Sequence, residues 1–199
     1  MCGIPFESAI ELNGLCPTCL KKSKPWQKAR AIVMYNETSK KLILPFKHAD
    51  QVLLTPLIAR LMLQQKDFIK THDLIIPVPL HWKRLIKRRY NQSTLLAREI
   101  SRKTHIPYDP CLLKRRRATV PQGHLSQKER HRNVQNAFCV RNTKKLIGKR
   151  ILLIDDVMTS GATVENCTKT LLASGATGVN VLTFAKVVKH TSSNPPIEF

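Results

Sequence analysis

Two adjacent carboxylates, Asp155 and Asp156, end the apolar run Ile151-Leu152-Leu153-Ile154. Val157, Met158, Thr159, Ser160, Gly161, Ala162 and Thr163 follow, and then a helical pattern begins. In an open α/β sheet, ligands sit in the crevice beyond the carboxyl ends of the strands. The start of the next helix offers unpaired backbone N–H groups and the positive end of its dipole, which suits a phosphate. Carboxylates beside a phosphate cradle fit a ligand carrying both a cis-diol and a phosphate, such as a ribose 5-phosphate. A plainer use of the same residues is structural, with Asp156 bonding a nearby amide and Thr159 or Ser160 capping the helix.

The elements that must position this stretch are legible by periodicity. Residues 29–35 read as a first strand, 36–40 as a polar turn and 42–47 as the lead into a helix. Over 52–68 the apolar positions Leu53, Leu54, Leu57, Ile58, Leu61 and Met62 recur at helical spacing. Residues 74–78 form a short buried strand running into Pro79-Leu80-His81, followed by the basic stretch 83–90. Asn91 opens a helix with Leu95, Leu96 and Ile100 on one side. The polar, basic segment 114–136 exceeds an ordinary connection and reads as a mobile functional loop. Residues 151–154 are the central strand. The next helix carries Val164, Cys167, Leu171 and Leu172 and stops at Ser174-Gly175. Residues 179–188 are a last strand, and 191–199 a Pro- and Ser-rich tail. Strands alternating with helices predict a mainly parallel, twisted sheet.

Composition bounds the function. At 199 residues and 42% hydrophobic content, the chain can build one α/β domain and a small appendage. No apolar run approaches the roughly 18–20 residues that span a bilayer, and no secretory pattern opens the chain, so a soluble cytoplasmic protein is expected. Thirty-four Lys and Arg against 13 acids give a net charge of +21. Such an excess argues for polyanionic partners, nucleic acid above all. A membrane surface would want an amphipathic anchor helix, which is missing from the pattern. Cys111, Cys139 and Cys167 stand alone among apolar or mixed neighbours and read as buried thiols.

Other acid-bearing folds fail on length or spacing. A receiver domain would need most of a domain after its acid pair, and 43 residues follow Asp156. Neither G-x-G-x-x-G nor a Walker loop occurs. The string 151–163 instead resembles the phosphoribosyl-pyrophosphate loop of type I phosphoribosyltransferases. That resemblance implies that Asp155 and Asp156 hold the ribose hydroxyls, with Mg²⁺ nearby. It also implies that Val157 to Thr163 wrap the 5-phosphate, Gly161 letting the backbone approach closely.

Four stretches narrow the resemblance to the ComF family of competence-associated, phosphoribosyltransferase-like proteins. They are Leu44-Pro45-Phe46-Lys47-His48; Ile76 to His81 with Arg84 and Arg88-Arg89-Tyr90-Asn91-Gln92; Arg115 to Gln122 continuing through Leu125-Ser126 to Glu129–Val134; and the acid-pair loop itself. Family members usually carry Gly between the Arg and the aromatic of the second stretch, where this chain has Arg89. A diphosphate needs N–H donors and guanidinium forks. Lys47, His81, Arg84, Arg115, Arg116 and Arg130 are the candidates, the 114–134 arginines acting as a lid. Arg88, Arg89, Tyr90, Arg117 and Arg132, with Trp82, are the candidates for single-stranded DNA, by backbone charge and base stacking.

Residues 1–24 read as a separate module. Cys16-Pro17-Thr18-Cys19 has the spacing of a zinc knuckle. ComF members generally begin with a second knuckle, Cys-x-x-Cys-Gly. Cys2-Gly3 matches its second half, so Cys2, Cys16 and Cys19 are the zinc candidates. Met1-Cys2-Gly3-Ile4 also looks like the start of glutamine amidotransferases, but roughly 70 residues before the first crevice strand are too few for a glutaminase domain. The expectation is a type I phosphoribosyltransferase fold over 25–190, preceded by a zinc-ribbon-like module and followed by a flexible tail. The resemblance implies a protein that binds phosphoribosyl pyrophosphate and single-stranded DNA in natural transformation, with competence helicases or other DNA-processing proteins as partners. The alternative is an active phosphoribosyltransferase acting on a nitrogen nucleophile such as a nucleobase.

Overall fold

Four parallel strands form the central sheet of the computed structural model, which describes residues 23–48, 52–117 and 127–188 together with Gly3 and Cys19. In chain order the elements are β1 (Ala29–Met34), α1 (Glu37–His48), α2 (Thr55–Met62), α3 (Lys66–Ile69), β2 (Leu74–Pro77), α4 (Trp82–Arg88), α5 (Gln92–Thr104), β3 (Leu113–Arg115), α6 (Gln127–Val134), β4 (Phe138–Val140), β5 (Arg150–Met158), α7 (Ala162–Ala173) and β6 (Gly178–Lys186). The sheet runs β1-β6-β5-β2, and β3 and β4 form a separate antiparallel pair.

β5 is buried on both faces, as a central parallel strand must be. Its side chains alternate between two cores. Ile151 and Leu153 pack with Leu74, Ile76, Val164, Cys167, Leu171, Val179 and Val181. Leu152 and Ile154 pack with Phe46, Ile58, Met62, Leu96, Ile100, Leu182 and Phe184. The crossover through α5 therefore covers one face, and the crossover through α7 covers the other. Helices that leave a sheet to opposite faces open a crevice at the carboxyl ends of the strands between them; here those strands are β2 and β5.

Local chemistry explains where the elements differ from the sequence expectations. Residues 36–40 do not form a turn alone. The Ser39 amide donates to Asn36 Oδ1 and the Asn36 amide to Ser39 Oγ, each at 2.9 Å. This reciprocal capping starts α1 at Glu37. β5 does not stop at Ile154 but continues through the acid pair, because β6 keeps pairing with it as far as Met158↔Lys186. On the other side the register ends at Pro77↔Ile154. The 114–136 segment, expected as a mobile loop, contains the end of β3 and all of α6. Cys111, expected buried, is exposed; Cys139 is half-buried and Cys167 buried.

The amino ends of the strands are tied by side chains. The Lys28 amide donates to Asn180 Oδ1 at 2.7 Å. Asn180 therefore turns its Nδ2 toward His72 Nε2, at 2.9 Å. His72 Nδ1 then carries the ring proton and donates it to the Ile69 carbonyl at 3.0 Å. Burial holds this imidazole below its ordinary range. A helix long and apolar enough to cross a membrane does not occur among the described residues.

His72 makes stability depend on pH. An imidazole whose folded value is depressed contributes stability above the unfolded value of about 6.5 and loses it as pH falls from there toward the folded value. Chemical unfolding from pH 8 to pH 5 should show stability falling below about pH 6.5, with a slope of up to ~1.4 kcal/mol per pH unit from this group. His72→Gln should remove that part of the slope; an identical slope in the variant would assign it elsewhere.

Candidate functional site

The acid pair occupies the place where β5 has passed β2 and pairs with β6 alone. Asp155 is 9% exposed and Asp156 half-buried. Asp155 Oδ1 accepts from the Ser93 hydroxyl and from the Asp156 amide, each at 3.0 Å. Asp156 Oδ1 accepts from the Val157 amide at 2.7 Å. Bonds of this kind fix the rotamers of both carboxyls.

Beyond Met158 the chain turns through Thr159 and Ser160 to Gly161, whose φ of +79° is left-handed. A Cβ there would stand 3.3 Å from Trp26 Cη2. Glycine thus meets two demands, a positive φ and close passage over a buried indole. Gly161 occupies the N-cap of α7 without a side-chain cap. The Ser160 hydroxyl accepts only a long bond, 3.4 Å, from the Ala162 amide. Asp155, Val157, Met158, Thr159, Gly161, Ala162, Thr163 and Val164 line one open hollow of about 220 Å³. Asp155, the turn after Met158 and the helix start therefore share a cavity, which Asp156 does not line.

The residue run ahead of α5 reaches Asp155 through the Ser93 hydroxyl. Asn91 caps that helix, taking the Ser93 amide at 3.1 Å and donating its own Nδ2 to the Val78 carbonyl at 3.0 Å. The Tyr90 hydroxyl and Gln92 Nε2 both donate to the Phe46 carbonyl, at 3.0 and 3.3 Å. Arg89 closes α4 with φ +62°. This left-handed backbone accounts for a glycine preference at the position, which the resemblance drew on and this chain does not follow.

The remaining candidates scatter. His81 is buried and caps α4, accepting from the Lys83 amide at 3.3 Å. Arg115 is buried, not part of a free lid; the alternation of β3 puts it on the same inner side as Leu113, with its guanidinium 5.4 Å from the Phe138 ring. Arg116 and Arg132 are exposed. Arg117 donates to the carbonyls of Asn133 and Gln135, at 3.2 and 3.0 Å, tying the exit of β3 to the end of α6. Arg88 is half-buried, and Trp82 is exposed. Lys47, Arg84 and Arg130 fall in α1, α4 and α6, with side chains outside the described part. Of the zinc candidates, Cys2 and Cys16 lie outside the described residues, and Cys19 is half-buried. No group of three or more His, Cys, Asp or Glu side chains poised to hold a metal occurs among the described residues.

Three neighbours of the site went unremarked in the sequence. Ser93 directly follows the quoted Asn91-Gln92. Trp26 packs beneath the loop. Lys186, 8% exposed, donates its ammonium to the Thr159 carbonyl at 2.6 Å; a lone cation ending an apolar strand was the available signal. Cys167 lies deep in the core, and burial pushes its thiol well above the ordinary range, so it stays protonated.

A phosphoribosyl transferase domain family matches residues 91–198. With its parallel sheet and flanking helices, the chain has the type I phosphoribosyltransferase fold. Competence protein F of Haemophilus influenzae is 36% identical over 178 residues, covering 86% of this chain and 78% of that protein. The DNA utilization protein YhgH of Escherichia coli is 33% identical over 186 residues, covering 90% and 80%. Competence protein ComFC of Bacillus subtilis is 25% identical over 192 residues, covering 88% and 71%. The chain belongs to this competence protein F (ComF) family.

The strained backbone at Arg89 is open to test. A left-handed non-glycine residue costs roughly 1–2 kcal/mol, while glycine gives back about half of that through the unfolded chain. Arg89→Gly should raise stability by about 0.5–1 kcal/mol in urea unfolding. A lower midpoint would mean that the guanidinium makes a contact worth more than the strain.

Proposed function

We propose that this protein binds phosphoribosyl pyrophosphate at the acid pair and single-stranded DNA on its basic surface, and that it handles incoming DNA in natural transformation. The observation that carries the ligand reading is the hollow lined by Asp155, Thr159, Gly161 and the start of α7. In this reading Asp155 and Asp156 accept from the two ribose hydroxyls, and the turn and the first amides of α7 hold the 5-phosphate. The donor set suits Mg²⁺, which takes one or two carboxylates and completes its shell with water and ligand phosphate oxygens. When bound, Mg²⁺ would supply charge neutralisation for the diphosphate.

The DNA reading draws on the +21 net charge and on the names of the relatives, which describe competence and DNA utilization proteins. Exposed Arg89, Arg116 and Arg132, with Trp82, are the described side chains best placed for backbone charge and stacking. A second reading, turnover with a nitrogen nucleophile, is favoured by the transferase family match over 91–198. Electrostatic stabilisation of departing diphosphate would then be the main catalytic contribution.

Calorimetry with phosphoribosyl pyrophosphate and Mg²⁺ should detect binding that Asp155→Asn/Asp156→Asn abolishes, with circular dichroism unchanged. Unaltered affinity in the double variant would overturn the ligand site, and diphosphate release with a nucleobase would assign turnover. DNA affinity should fall steeply with salt, with a log–log slope of about −3 or steeper, since each single-strand phosphate neutralised contributes roughly −0.7. A flat response would refute the DNA reading.

A further inference from the structure

Ser93 stands out among the buried polar groups outside the loop. It is 4% exposed, sits in the first turn of α5, and gives its hydroxyl proton to Asp155 Oδ1 at 3.0 Å across 62 residues of chain. Its backbone is held independently, because the Ser93 amide is capped by Asn91 Oδ1. Asn91 in turn is anchored to the Val78 carbonyl, at the end of β2. Gln92, also buried, reaches the Phe46 carbonyl in α1 together with Tyr90. Three consecutive side chains thus moor the start of α5 to α1 and to the exit of β2, and the fourth presents its hydroxyl to Asp155.

We propose that Ser93 is the positioning residue of the site: it fixes the rotamer of Asp155, while Tyr90, Asn91 and Gln92 keep Ser93 in place. The inference rests on the ligand reading above and deepens it. A carboxyl that ends a strand can swing about two torsions. Oδ1 is committed here to the Ser93 hydroxyl and the Asp156 amide, so the carboxylate plane is set before a ligand arrives. Ordering is then a property of the fold and not a cost of binding. Removing such an outer partner typically weakens binding at the inner group by 10–100-fold.

The test compares Ser93→Ala, Ser93→Thr and Asp155→Asn/Asp156→Asn in the full chain, by calorimetry with phosphoribosyl pyrophosphate and Mg²⁺. Ser93→Ala should weaken binding about tenfold. Ser93→Thr, which keeps the hydroxyl, should restore it. A mere packing defect would leave Ser93→Thr, with its extra methyl, as weak as Ser93→Ala, and that result would overturn the proposal. Wild-type affinity in Ser93→Ala, with binding abolished in the double variant, would overturn it while leaving the ligand reading intact. Undiminished binding in the double variant would sink both. Should Ser93→Ala fail to fold, Asn91→Ser, which keeps a shorter capping oxygen, loosens the mooring instead. Unchanged affinity there would overturn the proposal, and weaker binding would support it.

Discussion

A carboxylate at the edge of an apolar core is unstable unless donors surround it. Asp155 is such a group: the four side chains before it in β5 are fully buried, and it is nearly so. Asp155 Oδ1 accepts from donors at 3.0 Å, one in its own strand and one in α5. The second donor exists only because β2, α1 and α5 meet in one arrangement, through the carbonyls of Val78 and Phe46. Placement of the acid pair is therefore a property of the assembled sheet and helices, and a hollow beside α7 gains chemical meaning from it.

The loop on the other side follows the same logic with different means. Gly161 supplies a backbone conformation that other residues resist, Trp26 fills the space beneath it, and Lys186 holds the Thr159 carbonyl from the neighbouring strand. Each of these groups is distant in sequence from the turn it supports or is forced by what lies beside it. The shape of the hollow is thus set by tertiary neighbours more than by local turn propensity.

What could be read from the chain was what local pattern encodes. The apolar run before Asp155, the Gly161 turn and the periodicity of α5 and α7 are short-range signals, and the sheet class follows from their alternation. What escaped is non-local. β5 outlasts Ile154 because β6 is there to pair with it. The local exception is residues 37–40, which become helix because the Asn36 and Ser39 side chains each accept from the other's amide. Arg115 turned inward because β3 pairs with β4 and packs on Phe138. Ser93 was adjacent to a quoted segment, but nothing in its spacing announces a partner 62 positions away.

The strand order has a consequence for biosynthesis. β6 pairs with both β1 and β5, and the Lys28–Asn180 bond beside it spans 152 positions. During vectorial synthesis β1 emerges early and must wait for nearly the whole chain before its hydrogen-bonding edge is covered. Contacts of such separation close slowly, and nascent chains with open edges are prone to pair wrongly. Residues 178–186 are thus the keystone of the sheet: a translation product halted before them would expose the flanks of two strands at once, and would be a natural client for chaperones at the ribosome exit.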